Sequence, residues 1–275
     1  MRTDGVSRPS VPTLRLAFIG WGAIASTAAE MLSGSAVEIV AVATTDNSVH
    51  RRNVPAGARL ISHPDELAAT APHVVAEAAS RTAVGPWGRA ALESGADFIV
   101  SSVSAFSDAK VLDALREVAS QSGSQLCIQP GAVAGIEALA AARLMGVDVV
   151  EHRIVKPPRA WAGTPAETLC DLDSLAEPTV FFSDSASEAA SQFPKNANVA
   201  MTTALAGIGP EKTKISLVAD PAATMNRHEV SAHGAFGHLN VVISNQPLPA
   251  NPKTSAMAAL SLVRSIKNRV APIVI

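Results

Sequence analysis

Apolar residues in the first half of the chain fall into short, nearly unbroken runs separated by amphipathic stretches. The runs Leu14-Arg15-Leu16-Ala17-Phe18-Ile19, Val37-Glu38-Ile39-Val40-Ala41-Val42-Ala43, Val74-Val75-Ala76, Phe98-Ile99-Val100 and Gln125-Leu126-Cys127-Ile128 read as strands. Between them, residues 23–33, 65–69, 84–93 and 108–120 carry helical spacing, the last capped by Ser107. Strands alternating with helices predict a parallel sheet covered on both faces, since each parallel neighbour needs a crossover and strands buried on both sides are apolar throughout. From Val147 the pattern changes. Longer strands at residues 149–155, 213–219, 229–233 and 239–243 succeed one another with few helices, which predicts a mostly antiparallel sheet. One helix is expected over residues 185–192, and another opens at Pro194 and stops before Gly207-Ile208-Gly209-Pro210. A final helix over residues 253–268 aligns Ala256, Ala259, Leu260 and Val263 on one face, suited to packing back on the first half.

The first strand runs straight into Gly20-Trp21-Gly22-Ala23-Ile24-Ala25 at the start of a helix. In a G-x-G-x-x-A turn the first glycine makes the tight bend, the second lets backbone approach a pyrophosphate, and the third small residue lets helix pack on strand. Free N–H groups at the helix start complete an anion site. Gly20, Gly22, Ala23 and Ile24 are therefore candidate coenzyme contacts. Residues 78–80, Ala79 among them, and residues 101–104 should line the same cleft, because a doubly wound sheet holds its ligand beyond the carboxyl ends of its strands. After the second strand, Asp46 suits the ribose of NAD and Arg51 and Arg52 the 2′-phosphate of NADP, so both coenzymes stay open. The fold class expected is α/β: an N-terminal Rossmann dinucleotide-binding domain over residues 14–133, a C-terminal α+β catalytic domain over 134–246 with a mostly antiparallel sheet, and a closing segment, 247–275, on the first domain. Residues 1–13, polar with Pro9 and Pro12, are expected to be a disordered tail.

The 275 residues are 48% hydrophobic and 17% charged, enough for a substantial core. A net charge of −2 with scattered basic residues disfavours nucleic acid and anionic membranes as partners. Cys127 and Cys170 form no C-x-x-C and suit a reducing compartment, so the cytoplasm is expected. No apolar run reaches membrane-spanning length. The chain has no tyrosine, which excludes Tyr-x-x-x-Lys chemistry, and no Gly-x-x-x-x-Gly-Lys, which excludes a P-loop.

Gly20-Trp21-Gly22-Ala23-Ile24-Ala25, Gly131-Ala132-Val133-Ala134-Gly135-Ile136-Glu137-Ala138-Leu139, Lys156-Pro157-Pro158, Phe193-Pro194-Lys195-Asn196-Ala197-Asn198-Val199-Ala200, Asn226-Arg227-His228-Glu229 and Asn251-Pro252-Lys253-Thr254-Ser255 occur in this order along nearly the whole chain. Together they resemble the L-aspartate dehydrogenase family. The resemblance implies NAD(P)-dependent oxidative deamination of L-aspartate to iminosuccinate, which hydrolyses to oxaloacetate and ammonia, or the reverse amination. It also implies that Ala132 and Asn198 contact the nicotinamide coenzyme and that His228 is the active-site histidine. Pro130, Ala134 and Glu137 stand where the family often has serine, glycine and aspartate. A related imine or carbonyl reductase, dihydrodipicolinate-reductase-like or homoserine-dehydrogenase-like, and a coenzyme-binding sensor without turnover are the alternatives.

Hydride transfer asks the protein mainly to orient the coenzyme. Imine hydrolysis asks in addition for a group that takes and returns protons near neutral pH, which suits histidine. His50, His63 and His73 lie in the first half, which leaves His152, His228, His233 and His238. Residues five apart on a strand face opposite sides, so His228, His233 and His238 are not expected to hold a metal. A dicarboxylate needs cations: Lys195 at a helix start is the first candidate, and Lys156 and Arg159 follow. The small-molecule partner expected is a dicarboxylic amino acid or its imine, and an open sheet face in the second half would suit a homodimer.

Overall fold

The computed structural model describes residues 13–45 and 53–275. Residues 1–12 of the expected tail, and Asp46, His50, Arg51 and Arg52, lie outside the described residues. The first half runs β1 (Leu14–Ile19), α1 (Ala23–Leu32), β2 (Val37–Ala43), β3 (Arg59–Ile61), β4 (Val74–Glu77), α2 (Arg81–Glu93), β5 (Asp97–Val100), α3 (Ala109–Ser122) and β6 (Leu126–Ile128). Its strands form one sheet in the order β3-β2-β1-β4-β5-β6, each pair parallel. The order reverses between β1 and β4, and a crevice opens beyond their carboxyl ends. Alternate residues of these strands feed two cores. Ala17, Ile19, Val75 and Phe98 pack with Val84, Leu92 and Leu115 on one face; Leu16, Phe18, Val42 and Ala76 pack with Ala25, Ala28, Leu262 and Ile266 on the other.

Local details depart from the pattern. Residues 65–69 fall in two 3₁₀ turns, Pro64–Glu66 and Ala68–Thr70, rather than one helix. The cap of α3 is Asp108, whose carboxylate accepts from the Lys110 N–H, because the Ser107 hydroxyl is spent on the Ser104 carbonyl in the preceding 3₁₀ turn.

The second half continues with α4 (Ile136–Ala142), β7 (Val149–Lys156), α5 (Ala166–Leu169), β8 (Thr179–Ser185), α6 (Ala186–Gln192), α7 (Ala197–Ala206), β9 (Lys214–Ala219), β10 (Asn226–Gly234), β11 (Gly237–Asn245), β12 (Pro247–Leu248), β13 (Asn251–Ser255) and α8 (Ala256–Lys267). Its main sheet has the order β11-β10-β7-β9-β8. It is mixed, which corrects the expectation of a mostly antiparallel sheet: β7 and β9, at its centre, run parallel. The strand β8 is not among those expected: its apolar Val180, Phe181 and Phe182 give way at once to Ser183, Asp184 and Ser185. With β8 counted, the path from β7 through β8, α6 and α7 becomes a crossover, which parallel pairing requires.

The helix expected from Pro194 is also split. Pro194–Asn196 form a 3₁₀ turn and α7 starts at Ala197. This helix is buried almost all round, through Ala197, Ala200, Met201, Thr202, Thr203 and Ala204. Ala197 and Met201 belong to the core beneath the first sheet, and Ala200 and Ala204 to the core beneath the second. Thus α7 is the wedge between the two sheets, and its small side chains let both approach. α8 returns to α1, with Leu262, Val263 and Ile266 in the core beneath it.

Gly20 has φ +88°, and a Cβ there would stand 2.7 Å from the Ala79 Cβ and 2.9 Å from the Ala78 carbonyl oxygen. Gly22 has φ −90° and open space around an added Cβ. Gly20→Ala is therefore expected to lose about 1–3 kcal/mol of stability through strain and overlap, and Gly22→Ala less than about 1 kcal/mol at a helix cap. Urea unfolding of both variants measures the contrast; equal losses would contradict it.

Candidate active site

The turn between β1 and α1 is held by the sheet on either side. The Gly20 N–H donates to the Ala43 carbonyl at 2.8 Å, and the Ala78 N–H to the Ile19 carbonyl at 2.8 Å. No side chain caps α1 and no acidic residue occupies its first turn, so the N–H groups around Ala23 and Ile24 are left for an anion. A cavity of about 360 Å³ opens beside them, lined by Gly20, Trp21, Gly22, Thr44, Ala79 and Ser80 among others. Open space at the Gly22 Cβ position, uncapped amides and a cavity between two strand ends fit a dinucleotide pyrophosphate.

Beneath this cleft lies a carboxylate that sequence reasoning passed over. Glu77 ends β4 fully buried and accepts hydrogen bonds from the Ala79, Ser101 and Ser102 N–H groups and from the Ser102 hydroxyl, at 2.8–3.2 Å. Burial pushes its carboxyl up from the usual range, and the donors pull it back. It ties the loop after β4 to the loop after β5. Of the segments expected to line the cleft, residues 78–80 do so. Ser101 and Ser102 instead hold Glu77, and Ser104 reaches across to α7.

That reach places Asn198. In the first turn of α7, its Oδ1 accepts the Ser104 N–H at 2.9 Å. The Nδ2 hydrogens are left pointing away from that bond, which suits a carboxamide oxygen. Ala132, in the turn joining the two halves, has its carbonyl pinned by the Asn245 Nδ2 at 2.9 Å.

His228 sits on β10 with its neighbours in sequence turned away. Arg227 and Glu229 pair on the opposite face, where Glu229 also meets Arg153. In register, His228 faces Ile154 and His152 faces Val230, so the two histidines are diagonal neighbours on one face. His152 Nε2 lies 3.0 Å from His228 Nδ1, and His152 Nδ1 lies 2.9 Å from the Thr203 hydroxyl, which donates to the Val199 carbonyl at 3.1 Å. Only 5% of His228 is exposed, and none of His152. Burial, then the charge of Lys156, pushes His228 down to about 3; burial, then His228, holds His152 well below the usual histidine value. Both rings are neutral.

The cations arrange themselves in an order the sequence does not show. Lys156, at the end of β7, donates to the Asn196 side chain and lies 4.7 Å over the Trp161 ring. Burial, with the nearby charge of Lys195, pushes its amine down to about 8. Lys195, the first candidate, is exposed in the 3₁₀ turn before α7. Arg159, also exposed, lies in the turn after β7. His233 and His238 are paired across the β10–β11 hairpin, with ring centres 6.0 Å apart. Among the described residues no group of three or more His, Cys, Asp or Glu is placed to hold a metal. Glu77 and Thr203 escaped sequence reasoning as site residues, while His152 stood among the four candidate histidines with no role assigned to it. The link between His152 and His228 follows only from strand register, and that of Thr203 only from how α7 packs.

Residues 137–269 match a family described as "Aspartate dehydrogenase, C-terminal", and residues 20–129 one described as "Homoserine dehydrogenase, NAD binding domain". L-aspartate dehydrogenase of Brucella anthropi is 52% identical over 94% of this chain and 98% of its own length. That of Polaromonas sp. is 42% identical over 95% of this chain and 100% of its own length. The crystal structure of aspartate dehydrogenase from Thermotoga maritima superposes with a TM-score of 0.76 at 26% identity, covering 95% of this chain and 99% of that one. With a cleft fit for a dinucleotide at the β1–α1 turn, a buried imidazole tied to α7 and likeness along nearly the whole length, this chain belongs to the L-aspartate dehydrogenase family.

Proposed function

We propose that this protein oxidatively deaminates L-aspartate to iminosuccinate, and so to oxaloacetate and ammonia, or runs the reverse amination, with NAD or NADP as coenzyme. The observation that carries this reading is the buried imidazole of His228, linked through His152 and Thr203 to the helix whose first turn presents Asn198. When bound, the nicotinamide takes up the hydride that leaves C2 of aspartate. The residues around it do the rest. Gly20, Gly22, Ala23, Ile24 and Ala79 cradle the phosphates, while Asn198 and Ala132 orient the nicotinamide end. Lys156 and Lys195 hold the carboxylates.

His228 then handles the protons of imine hydrolysis. Water adds to C2 of the protonated imine and gives its proton to His228 Nε2. The imidazolium returns that proton to the nitrogen; the C–N bond then breaks, ammonia leaves, and the C2 hydroxyl gives its proton to His228 Nε2 as the ketone forms. From the imidazole that proton passes to the departing ammonia or to solvent. Amination runs these steps backwards. Burial first, and the Lys156 charge second, hold this base near 3; a carboxylate seated at Lys156 offsets the second cause and moves the imidazole upward from there. Residues 14–133 with 247–275 are proposed as the coenzyme domain and 134–246 as the catalytic domain. A homodimer through the open face of the second sheet is supported by the exposed Val149, Val180 and Val242 there. A cytoplasmic location is supported by two free thiols. No helix of the described residues is long and apolar enough to cross a membrane.

Three measurements test this reading. Oxidation of NADH or NADPH is expected to require oxaloacetate and ammonia together, and His228→Ala to lower kcat by roughly 10²–10⁴ with coenzyme affinity little changed; turnover without ammonia would mean carbonyl reduction instead. Asn198→Asp keeps an acceptor for Ser104 but loses the donor, so NADH should bind about tenfold more weakly by fluorescence titration; unchanged affinity would remove Asn198 from the nicotinamide site. Lys156 holds carboxylate only while charged, so kcat/KM for oxaloacetate at saturating ammonia should fall above pH about 8, and Lys156→Met should raise KM and abolish that limb. A KM indifferent to both would exclude it.

A further inference from the structure

The hydrogen bonds behind His228 form a line in which one hydroxyl decides the protonation of two rings. Thr203 Oγ1 stands 3.1 Å from the Val199 carbonyl and 2.9 Å from His152 Nδ1. The hydroxyl donates its single hydrogen to the Val199 carbonyl, and in that arrangement the Thr203 oxygen takes the hydrogen on His152 Nδ1. Neutral His152 is then bare at Nε2, which lies 3.0 Å from His228 Nδ1. That nitrogen must accept, so His228 carries its hydrogen on Nδ1 and keeps its lone pair on Nε2. Were the hydroxyl turned toward His152 instead, both rings would flip to the other tautomer, and His228 would offer a hydrogen where a base needs a lone pair.

We propose that His152, anchored by Thr203, is a positioning residue that holds His228 in the tautomer with a free Nε2 and so makes it competent as a base. His152 has this role only if His228 is the base, as proposed above. The rest of the surroundings agree. His152 has no exposure to solvent that would hydrate and reorient its ring. The charged neighbour of His228 is Lys156, from β7, whose own charged neighbour is Lys195. Arg153, Arg227 and Glu229 pair on the far face of the sheet. With a cation nearby and no acid in the line, Thr203 and the Val199 carbonyl supply the polarity that a carboxylate supplies in a Ser-His-Asp triad. Because Val199 and Thr203 lie on the helix that carries Asn198, one rigid element sets both the coenzyme contact and the tautomer of the base.

Paired variants separate this role from plain packing. Thr203→Val removes the hydroxyl at nearly constant volume, and Thr203→Ser keeps it; His152→Leu removes the acceptor, and His152→Gln restores one. Thr203→Val and His152→Leu are expected to lower kcat roughly tenfold or more, with NADH affinity within about threefold. Thr203→Ser and His152→Gln should recover at least about a third of the rate. The acid limb of kcat/KM should move to lower pH in His152→Leu, which loses the acceptor that steadies the His228 imidazolium, and stay in place in His152→Gln. Full activity and an unmoved acid limb in Thr203→Val and His152→Leu, beside an inactive His228→Ala, would overturn the proposal while sparing His228. Equal loss in the conservative and disruptive variants would overturn it as well, in favour of packing. A fully active His228→Ala would show instead that the base itself had been misread. If His152→Leu does not fold, the Thr203 pair decides alone.

Discussion

The close fit of α7 between two sheets is the constraint on which the site depends. Its alanines let the first core reach Ala197 and Met201 while the second reaches Ala200 and Ala204, so a large side chain at Ala197, Ala200 or Ala204 would push one half of the molecule away from the other. The geometry that follows is shared. The first turn of the helix meets the Ser104 amide through Asn198, and its second turn meets His152 through Thr203. The proposed coenzyme contact and the proposed base are thus tied to one rigid rod rather than to two loops, an arrangement that keeps groups in register.

Burial sets the electrostatics of the site. Two imidazoles without solvent, beside a lysine that is itself mostly desolvated, stay neutral because charging either would place like charges together in a region of low dielectric. The fold therefore stores a site that is short of negative charge and waits for a dianionic substrate to supply it. On the coenzyme side the arrangement is the reverse. Glu77 remains buried only because four donors from two loops converge on it, so the carboxylate serves as a strut under the cleft.

Much of the first half was legible because its physics is local. A parallel strand buried on both faces is an apolar run, and a pyrophosphate turn needs glycine at Gly20, where a Cβ would collide with Ala79. The second half was less legible because its sheet is assembled from distant segments. The strand β8 has only a short apolar start, Val180 to Phe182, before Ser183 and Asp184, and without it the parallel pairing of β7 with β9 stays hidden. His228 stood out through its motif, whereas His152, a candidate without a role, was tied to it only once register placed the two diagonally across β7 and β10. Lys195 was the first candidate for a carboxylate because charge at a helix start is readable in sequence; the burial of Lys156 is not.

The most direct test of this account is a crystal structure with coenzyme and an unreactive four-carbon dicarboxylate such as succinate bound together. The account predicts Asn198 Nδ2 about 3 Å from the carboxamide oxygen, Lys156 on a carboxylate, and His228 Nε2 facing the central carbons from the side opposite the nicotinamide, with Nδ1 still on His152. A dicarboxylate bound away from Lys156, or an imidazole turned from it with the His152 contact broken, would contradict the account.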